Sequence, residues 1–228
     1  MKKPIDKKLI SYVKDVLLES TFSEYNEVLD IYLSRGRYQL CTEGAVYSYE
    51  DKYINFTETF KKINWDLLGV NKVLVLGLGL ASVPQILEQV FDKKFEFHAV
   101  EIDGEIIRLA EKYILDELQS PIQIFEMDAE IFVDIASEKY DMIIVDIFED
   151  AKVPAKFETN IFLEKVEKML EPKGILLYNR LNTSDETLAN TLKFYENIFL
   201  KVFNNAAPVY IKDNIVLCSN KDVLLDFR

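Results

Sequence analysis

From Lys72 onward the chain alternates two kinds of apolar pattern. Short, nearly continuous apolar runs cover 72–77, 95–101, 121–126, 140–146 and 173–178, and these predict strands. Between them, apolar residues recur every three or four positions over 82–92, 104–116, 129–137 and 157–170, which predicts helices. The runs VLVLG and MIIVD have almost no polar interruption, as expected of strands covered on both faces. Strand–helix alternation of this kind builds βαβ units and a parallel sheet with helices on both sides. A further helix is predicted over 184–200. The run APVYIKDNIVLCSN follows, with Lys212-Asp213-Asn214 as a tight turn between two short strands. That hairpin places an antiparallel strand at the end of the parallel sheet.

The first sixty residues have a different rhythm. Leu9, Ile10, Val13, Val16 and Leu17 have helical spacing and predict a helix over 6–19. In EVLDIYLSRGRYQLCTEGAVYSYE, Ser34-Arg35-Gly36 and Glu43-Gly44 are turn signals between alternating runs, so a small β-meander is expected. An aromatic-rich helix is expected over 51–63. The division read from these patterns is 1–63 for the helix and meander, and 64–228 for the α/β domain.

Composition narrows the partners. The 228 residues are 49% hydrophobic, enough for a substantial core, and the net charge of -12 disfavours nucleic acid as a partner. There is no apolar run long enough for a membrane span and no apolar leader at the N-terminus, so a cytoplasmic protein is expected. Cys41 and Cys218, the two cysteines, lie in apolar runs without metal-ligand spacing and read as buried free thiols; no metal is expected.

Candidate chemistry sits at the strand ends. Gly77 and Gly79 lie between a buried strand and a helix, where glycine permits a tight turn and close approach of a ligand to the backbone of Gly77-Leu78-Gly79. The plain alternative is a turn with no ligand. Glu101 follows 24 positions after Gly77, at the tip of the next strand, where a carboxylate accepts both ribose hydroxyls; Ile102 beside it offers an apolar face to a purine. Asp103 is the competing helix cap. Asp128, followed by Ala129, ends the third strand and suits either an adenine amino group or an N-cap. Asp146 ends the fourth strand at the expected switch point of the sheet, with Glu149 and Asp150 close behind. Carboxylates there suit a cationic ligand or proton removal from an amine. His98, the single histidine, lies inside a strand and reads as a packed residue, so histidine-based nucleophilic chemistry has little support.

Taken together, these stretches resemble the class I S-adenosylmethionine-dependent methyltransferase fold, and within it the spermidine synthase-like family. VLVLGLGLASVPQIL resembles the glycine-rich motif, AVEID the ribose motif, MDAEIF the adenine motif, and YDMIIVDIFED a later motif. RYQLCTEGAVYSYED is similar to the N-terminal hairpin of spermidine synthases, with Gln39 and Tyr49 at matching positions. The resemblance implies a Rossmann-like, mostly parallel seven-stranded sheet with a C-terminal antiparallel hairpin. It implies S-adenosylmethionine, or its decarboxylated form, as co-substrate, held by Gln39, the glycine turn, Glu101, Ile102, Asp128, Ala129 and Asp146. Asp146, Tyr49 and Glu149 become the catalytic candidates for methyl or aminopropyl transfer to a small acceptor, an amine among the options, and a homodimer is implied.

Three positions depart from the aminopropyltransferase pattern. Leu80 stands where the glycine turn carries Asp, Ile147 to Asp150 replace Ser/Thr-Ser/Thr-Asp-Pro, and Glu50-Asp51 replace His-Glu after Tyr49. These departures keep two rivals open. One is a non-catalytic adenosyl-ligand-binding or interaction protein on the same fold. The other is a nicotinamide oxidoreductase, which would leave Asp128 and the terminal hairpin unexplained.

Overall fold

The computed structural model describes residues 5–43, 46–149 and 152–225. Gly44 and Asp150 therefore lie outside the described residues. The N-terminal part is a helix, α1 (Ile5–Ile10), followed by an antiparallel sheet of β1 (Val16–Thr21), β2 (Leu29–Ser34), β3 (Arg37–Cys41) and β4 (Val46–Ser48) in that spatial order. The helix α2 (Ile54–Lys61) leads into the larger unit.

The helix expected over 6–19 stops at Ile10, and 16–21 is a strand. Ser11 explains the stop. It is buried, and its hydroxyl donates to Lys8 O at 2.7 Å and accepts from Gly36 N at 2.9 Å. Its carbonyl accepts from Arg35 N at 2.8 Å. The chain is thereby tied to the β2–β3 turn, and Val16 pairs with Leu33 across an antiparallel ladder. Pairing along a sheet overrides a helical spacing that no core face is present to reward.

The larger unit runs β5 (Lys72–Leu76), α3 (Ser82–Gln89), β6 (Glu96–Glu101), α4 (Gly104–Tyr113), β7 (Ile122–Glu126), α5 (Ala129–Ile135), β8 (Tyr140–Val145), α6 (Asn160–Lys168), β9 (Leu170–Leu181), α7 (Asp185–Phe194), β10 (Ala207–Tyr210) and β11 (Asn214–Cys218). The spatial order is β10-β11-β9-β8-β5-β6-β7. β5 to β9 are mutually parallel, and β11 is antiparallel to both its neighbours. The expected hairpin is thus present. β9 is longer than the 173–178 expected, and the helix expected over 184–200 changes to a π-helical turn at Tyr195–Phe199.

Alternate residues of each central strand feed opposite cores. Val73, Val75, Phe97, Ala99, Met142 and Ile144 pack with α2, α3 and α4. Leu74, Leu76, Val100, Ile143 and Val145 pack with α5, α6 and α7. This is why the strands read as unbroken apolar runs. β5 lies between β6 and β8, so the connections leave it in opposite directions and open a crevice at the strand tips. Among the described residues no helix is long and apolar enough to cross a membrane.

Candidate active site

The glycine turn sits over that crevice. Gly77 has φ +93° and Gly79 φ +52°. A Cβ at position 77 would stand 2.3 Å from the carbonyl oxygen of Asp146, so the tips of β5 and β8 cross only because residue 77 is glycine. Ala81 also takes a left-handed conformation, and Ser82 opens α3. Ser82 Oγ lies 2.5 Å from Ser48 Oγ, which joins the turn to the N-terminal sheet.

Leu78 and Leu80 send their side chains into the apolar core. Leu78 therefore contributes through its backbone: its N–H donates to Glu101 Oε2 at 3.1 Å, and Gly79 N–H donates to the same oxygen at 3.3 Å. Glu101 Oε1 accepts from Ile102 N at 2.9 Å and Asp103 N at 3.2 Å. Burial pushes the Glu101 carboxyl up, while these N–H groups partly offset that rise. Ile102 is 36% exposed and faces the crevice.

Asp103 is the N-cap of α4, as the competing reading had it, with Oδ1 accepting from Glu105 N at 2.9 Å. Its Oδ2 does something the sequence did not suggest. It accepts from Ser23 Oγ at 2.5 Å and Asn26 Nδ2 at 2.7 Å, which holds the β1–β2 loop beside the crevice. Glu24, Tyr25 and Asn26 of that loop line the cavity. Asp128 caps α5 through Glu130 N at 2.7 Å, and its other oxygen pairs with Lys156. Burial pulls Asp128 upward, but Lys156 and the α5 N–H groups hold it below the usual carboxylate range. Ala129 is buried at the start of α5.

Asp146 is enclosed by donors from two distant segments. Asn179 Nδ2 donates to Asp146 Oδ1 at 2.8 Å, and Tyr53 OH donates to the same oxygen at 3.1 Å. Asn214 Nδ2 donates to Asn179 Oδ1 at 3.0 Å, which aims the Asn179 amide at Asp146. Burial pushes the Asp146 carboxyl up to about 6, with the two donors working the other way. Neither Tyr53 nor Asn179 stood out in the sequence. The one signal was the polar pair Asn179-Arg180 ending an otherwise apolar strand.

The remaining candidates also reach the cavity. Tyr49 lines it, and its hydroxyl donates to Ser34 Oγ at 3.0 Å. Gln39 faces it from β3, and Glu149 is exposed at its mouth. The cavity has a volume of about 870 Å³, near the top of the range for small-molecule sites. Glu24, Glu101, Asp103, Asp128, Asp146, Glu149 and Asp213 line it, against Lys52 and Lys156, the latter paired with Asp128. Such a lining favours a cationic guest. Among the described residues no cluster of His, Cys, Asp or Glu suits a metal ion.

Sheet order, glycine turn and terminal hairpin define an α/β protein of the class I methyltransferase type. The chain belongs to the spermine/spermidine synthase domain family, whose model matches residues 65–223. It is 26% identical over 149 residues to a polyamine aminopropyltransferase of Vibrio vulnificus, covering 64% of this chain and 49% of that protein. The chain thus spans about half the length of this curated relative. A probable spermidine synthase from Corynebacterium glutamicum superposes with a TM-score of 0.70 at 20% identity, over 90% of this chain and 80% of that one. Human methyltransferase-like protein 13, solved with SAH, gives 0.58 at 23% identity over 72% and 79%.

Proposed function

We propose that the protein transfers an alkyl group from the sulfonium of an S-adenosylmethionine-type co-substrate to the nitrogen of a small amine. The observation that carries this is the row of carboxylates at the tips of β8, β6 and β7 around the glycine turn: Asp146, Glu101 and Asp128. Strands are spaced by about 4.8 Å, so Glu101 and Asp128 stand roughly 10 and 14 Å along the sheet from Asp146, the span of a nucleoside lying across β5, β6 and β7. Glu101 would take the ribose, Ile102 and Asp128 the base, and Asp146 would face the reacting centre.

The chemistry asks for alignment and one proton transfer. The acceptor ammonium gives a proton to the Asp146 carboxylate. The freed nitrogen lone pair attacks the carbon on sulfur in line, the N–C bond forms as the S–C bond breaks, and the bond pair leaves on a neutral thioether. A carboxyl near pH 6 is a suitable base, because it is ionised at neutral pH yet protonates readily. Tyr49 and Glu149 would orient the acceptor from the mouth of the cavity.

Leu80 favours methyl transfer, while the acid-rich lining also suits the more cationic decarboxylated co-substrate. Leu80 is fully buried among apolar residues and puts no carboxylate beside the sulfonium tail. The decarboxylated co-substrate carries an extra uncompensated ammonium there, whereas intact S-adenosylmethionine brings its own carboxylate. The test is thermal stabilisation with S-adenosylmethionine, its decarboxylated form, methylthioadenosine and NAD. Saturation at 100 Kd corresponds to about 2.7 kcal/mol. Adenosyl ligands are expected to stabilise and NAD is not; Glu101→Ala is expected to abolish the shift. No shift with any adenosyl ligand sinks the proposal.

A further inference from the structure

We infer that Lys52 discriminates between the two co-substrates by receiving the carboxylate of intact S-adenosylmethionine; this rests on the reading of the cavity as an adenosyl site. Lys52 and Lys156 are the cations among the described residues that line the cavity. Lys156 is spent on Asp128, at the end proposed for the adenine. Lys52 keeps its charge in reserve. Its Nζ stands 3.9 Å from Asp51 Oδ2, a long contact. Arg37 already holds both oxygens of that carboxylate, Nε on Oδ1 at 2.6 Å and Nη2 on Oδ2 at 3.1 Å.

The backbone that carries Lys52 is fixed on both sides. Glu50–Lys52 form a single 3-10 turn, with Lys52 N–H donating to Tyr49 O at 2.8 Å and Tyr53 N–H to Glu50 O at 3.2 Å. Before the turn, Tyr49 N–H donates at 3.2 Å to the hydroxyl of Ser82, the residue that opens α3 after the glycine turn. After it, Tyr53 OH donates to Asp146 Oδ1 at 3.1 Å. Lys52 is thereby set between the glycine turn and the tip of β8. With the ribose on Glu101 and the base toward Asp128, the amino-acid tail of the co-substrate leaves the nucleoside the other way along the sheet, past β5 toward β8. That is the side of the cavity on which the Lys52 turn is anchored.

The two co-substrates differ only in that tail. Intact S-adenosylmethionine carries an ammonium and a carboxylate there, and the decarboxylated form carries the ammonium alone, with one more net positive charge. The acidic lining welcomes the ammonium of either. A cation is what separates them, because it attracts the carboxylate and repels the bare ammonium. Leu80 withholds a partner from the ammonium, but as a buried apolar side chain it gives the carboxylate nothing. Lys52 supplies that missing attraction. Its side chain is 55% exposed, so the preference it creates is moderate and weakens with salt.

The experiment is calorimetric titration of the full chain with S-adenosylmethionine, its decarboxylated form, S-adenosylhomocysteine and methylthioadenosine, in wild type, Lys52→Arg, Lys52→Ala and Lys52→Glu. Methylthioadenosine has no amino-acid tail and reads the nucleoside site alone. Lys52→Ala is expected to weaken both carboxylate-bearing ligands by about three- to tenfold and to leave methylthioadenosine within about twofold of wild type. The affinity ratio of intact to decarboxylated co-substrate falls accordingly. Lys52→Glu is expected to lower that ratio by roughly a further tenfold, because it also attracts the bare ammonium, and both effects shrink at high salt. Lys52→Arg keeps the charge and is expected to keep the ratio. A ratio within about twofold of wild type in both Lys52→Ala and Lys52→Glu overturns the inference, as does an equal loss of methylthioadenosine binding. A wild-type protein that binds none of these ligands overturns the adenosyl reading itself and the inference with it.

Discussion

The backbone of Asp146 occupies the space that a side chain at Gly77 would need. A Cβ at 77 would meet the carbonyl oxygen of Asp146 at 2.3 Å and its carbonyl carbon at 2.8 Å, at a φ of +93°. The neighbour is backbone at the end of a buried strand, so it has little freedom to yield. The glycine turn and the base of the proposed reaction are therefore one mechanical unit.

Gly77→Ala should consequently do more than disturb a loop. Strained backbone at a non-glycine residue is worth roughly 1–3 kcal/mol, and the clash with Asp146 adds to it. The expected outcome is a loss of about 3 kcal/mol in denaturant unfolding together with loss of adenosyl-ligand binding. Near-wild-type stability with normal binding would show that the two strand tips can separate.

The carboxyl of Asp146 also predicts a pH dependence of stability. Its ordinary value is 3.8 and burial lifts it to about 6. The folded state then binds a proton that the unfolded state releases, so this group lowers stability as pH rises from about 4 to about 6. At 1.36 kcal/mol per unit the penalty at neutral pH is about 3 kcal/mol. Asp146→Asn keeps the size of the side chain and removes the charge. It is expected to be more stable than wild type at pH 7 by up to about 3 kcal/mol, with the gap closing near pH 4, while transfer activity is lost. Equal stability at both pH values would mean that the carboxylate is better solvated than its surroundings indicate.

Leu80→Asp tests the donor preference from the other side. Simple motif matching suggests that restoring the aspartate would create affinity for the decarboxylated co-substrate. The position is fully buried in the apolar core, so an ionised carboxylate there has no solvent and no facing cation. The expected result is destabilisation of about 3 kcal/mol or more and no gain in binding, measured by chemical unfolding and by calorimetric titration. Tight binding of the decarboxylated form by a stable Leu80→Asp protein would reverse the assignment to methyl transfer.

How much of this was legible in the sequence depended on how local the information was. β5, β6 and β8 were readable because both of their faces are buried, which leaves an apolar run no solvent exposure can dilute. Glu101 and Asp146 were readable because each ends such a run, and Asp128 because it follows the short apolar run of the half-exposed edge strand β7. β1 was not, since KKLISYVKDVLLE satisfies a helical spacing, and only its pairing with β2 and the use of Ser11 at the β2–β3 turn decide otherwise. Tyr53 was hidden in an aromatic-rich segment where most rings serve packing. Asp103 showed its cap role, but its clasp on Ser23 and Asn26 joins residues 80 and 77 positions apart. Leu80 could be aligned with the aspartate of its relatives, but its burial could not be read from a motif.

The convergence on Asp146 Oδ1 carries a consequence for the order of folding. That oxygen is tied to Tyr53 across 93 positions and to Asn179 across 33, and Asn179 to Asn214 across a further 35. Closing such long loops costs entropy before any bond repays it, and contacts of this separation form late. During synthesis Asn214 leaves the ribosome long after Tyr53, so a nascent chain can hold its glycine turn and its first parallel strands without a finished base. The surroundings of the Asp146 carboxylate, the proposed base, are therefore among the last features to assemble.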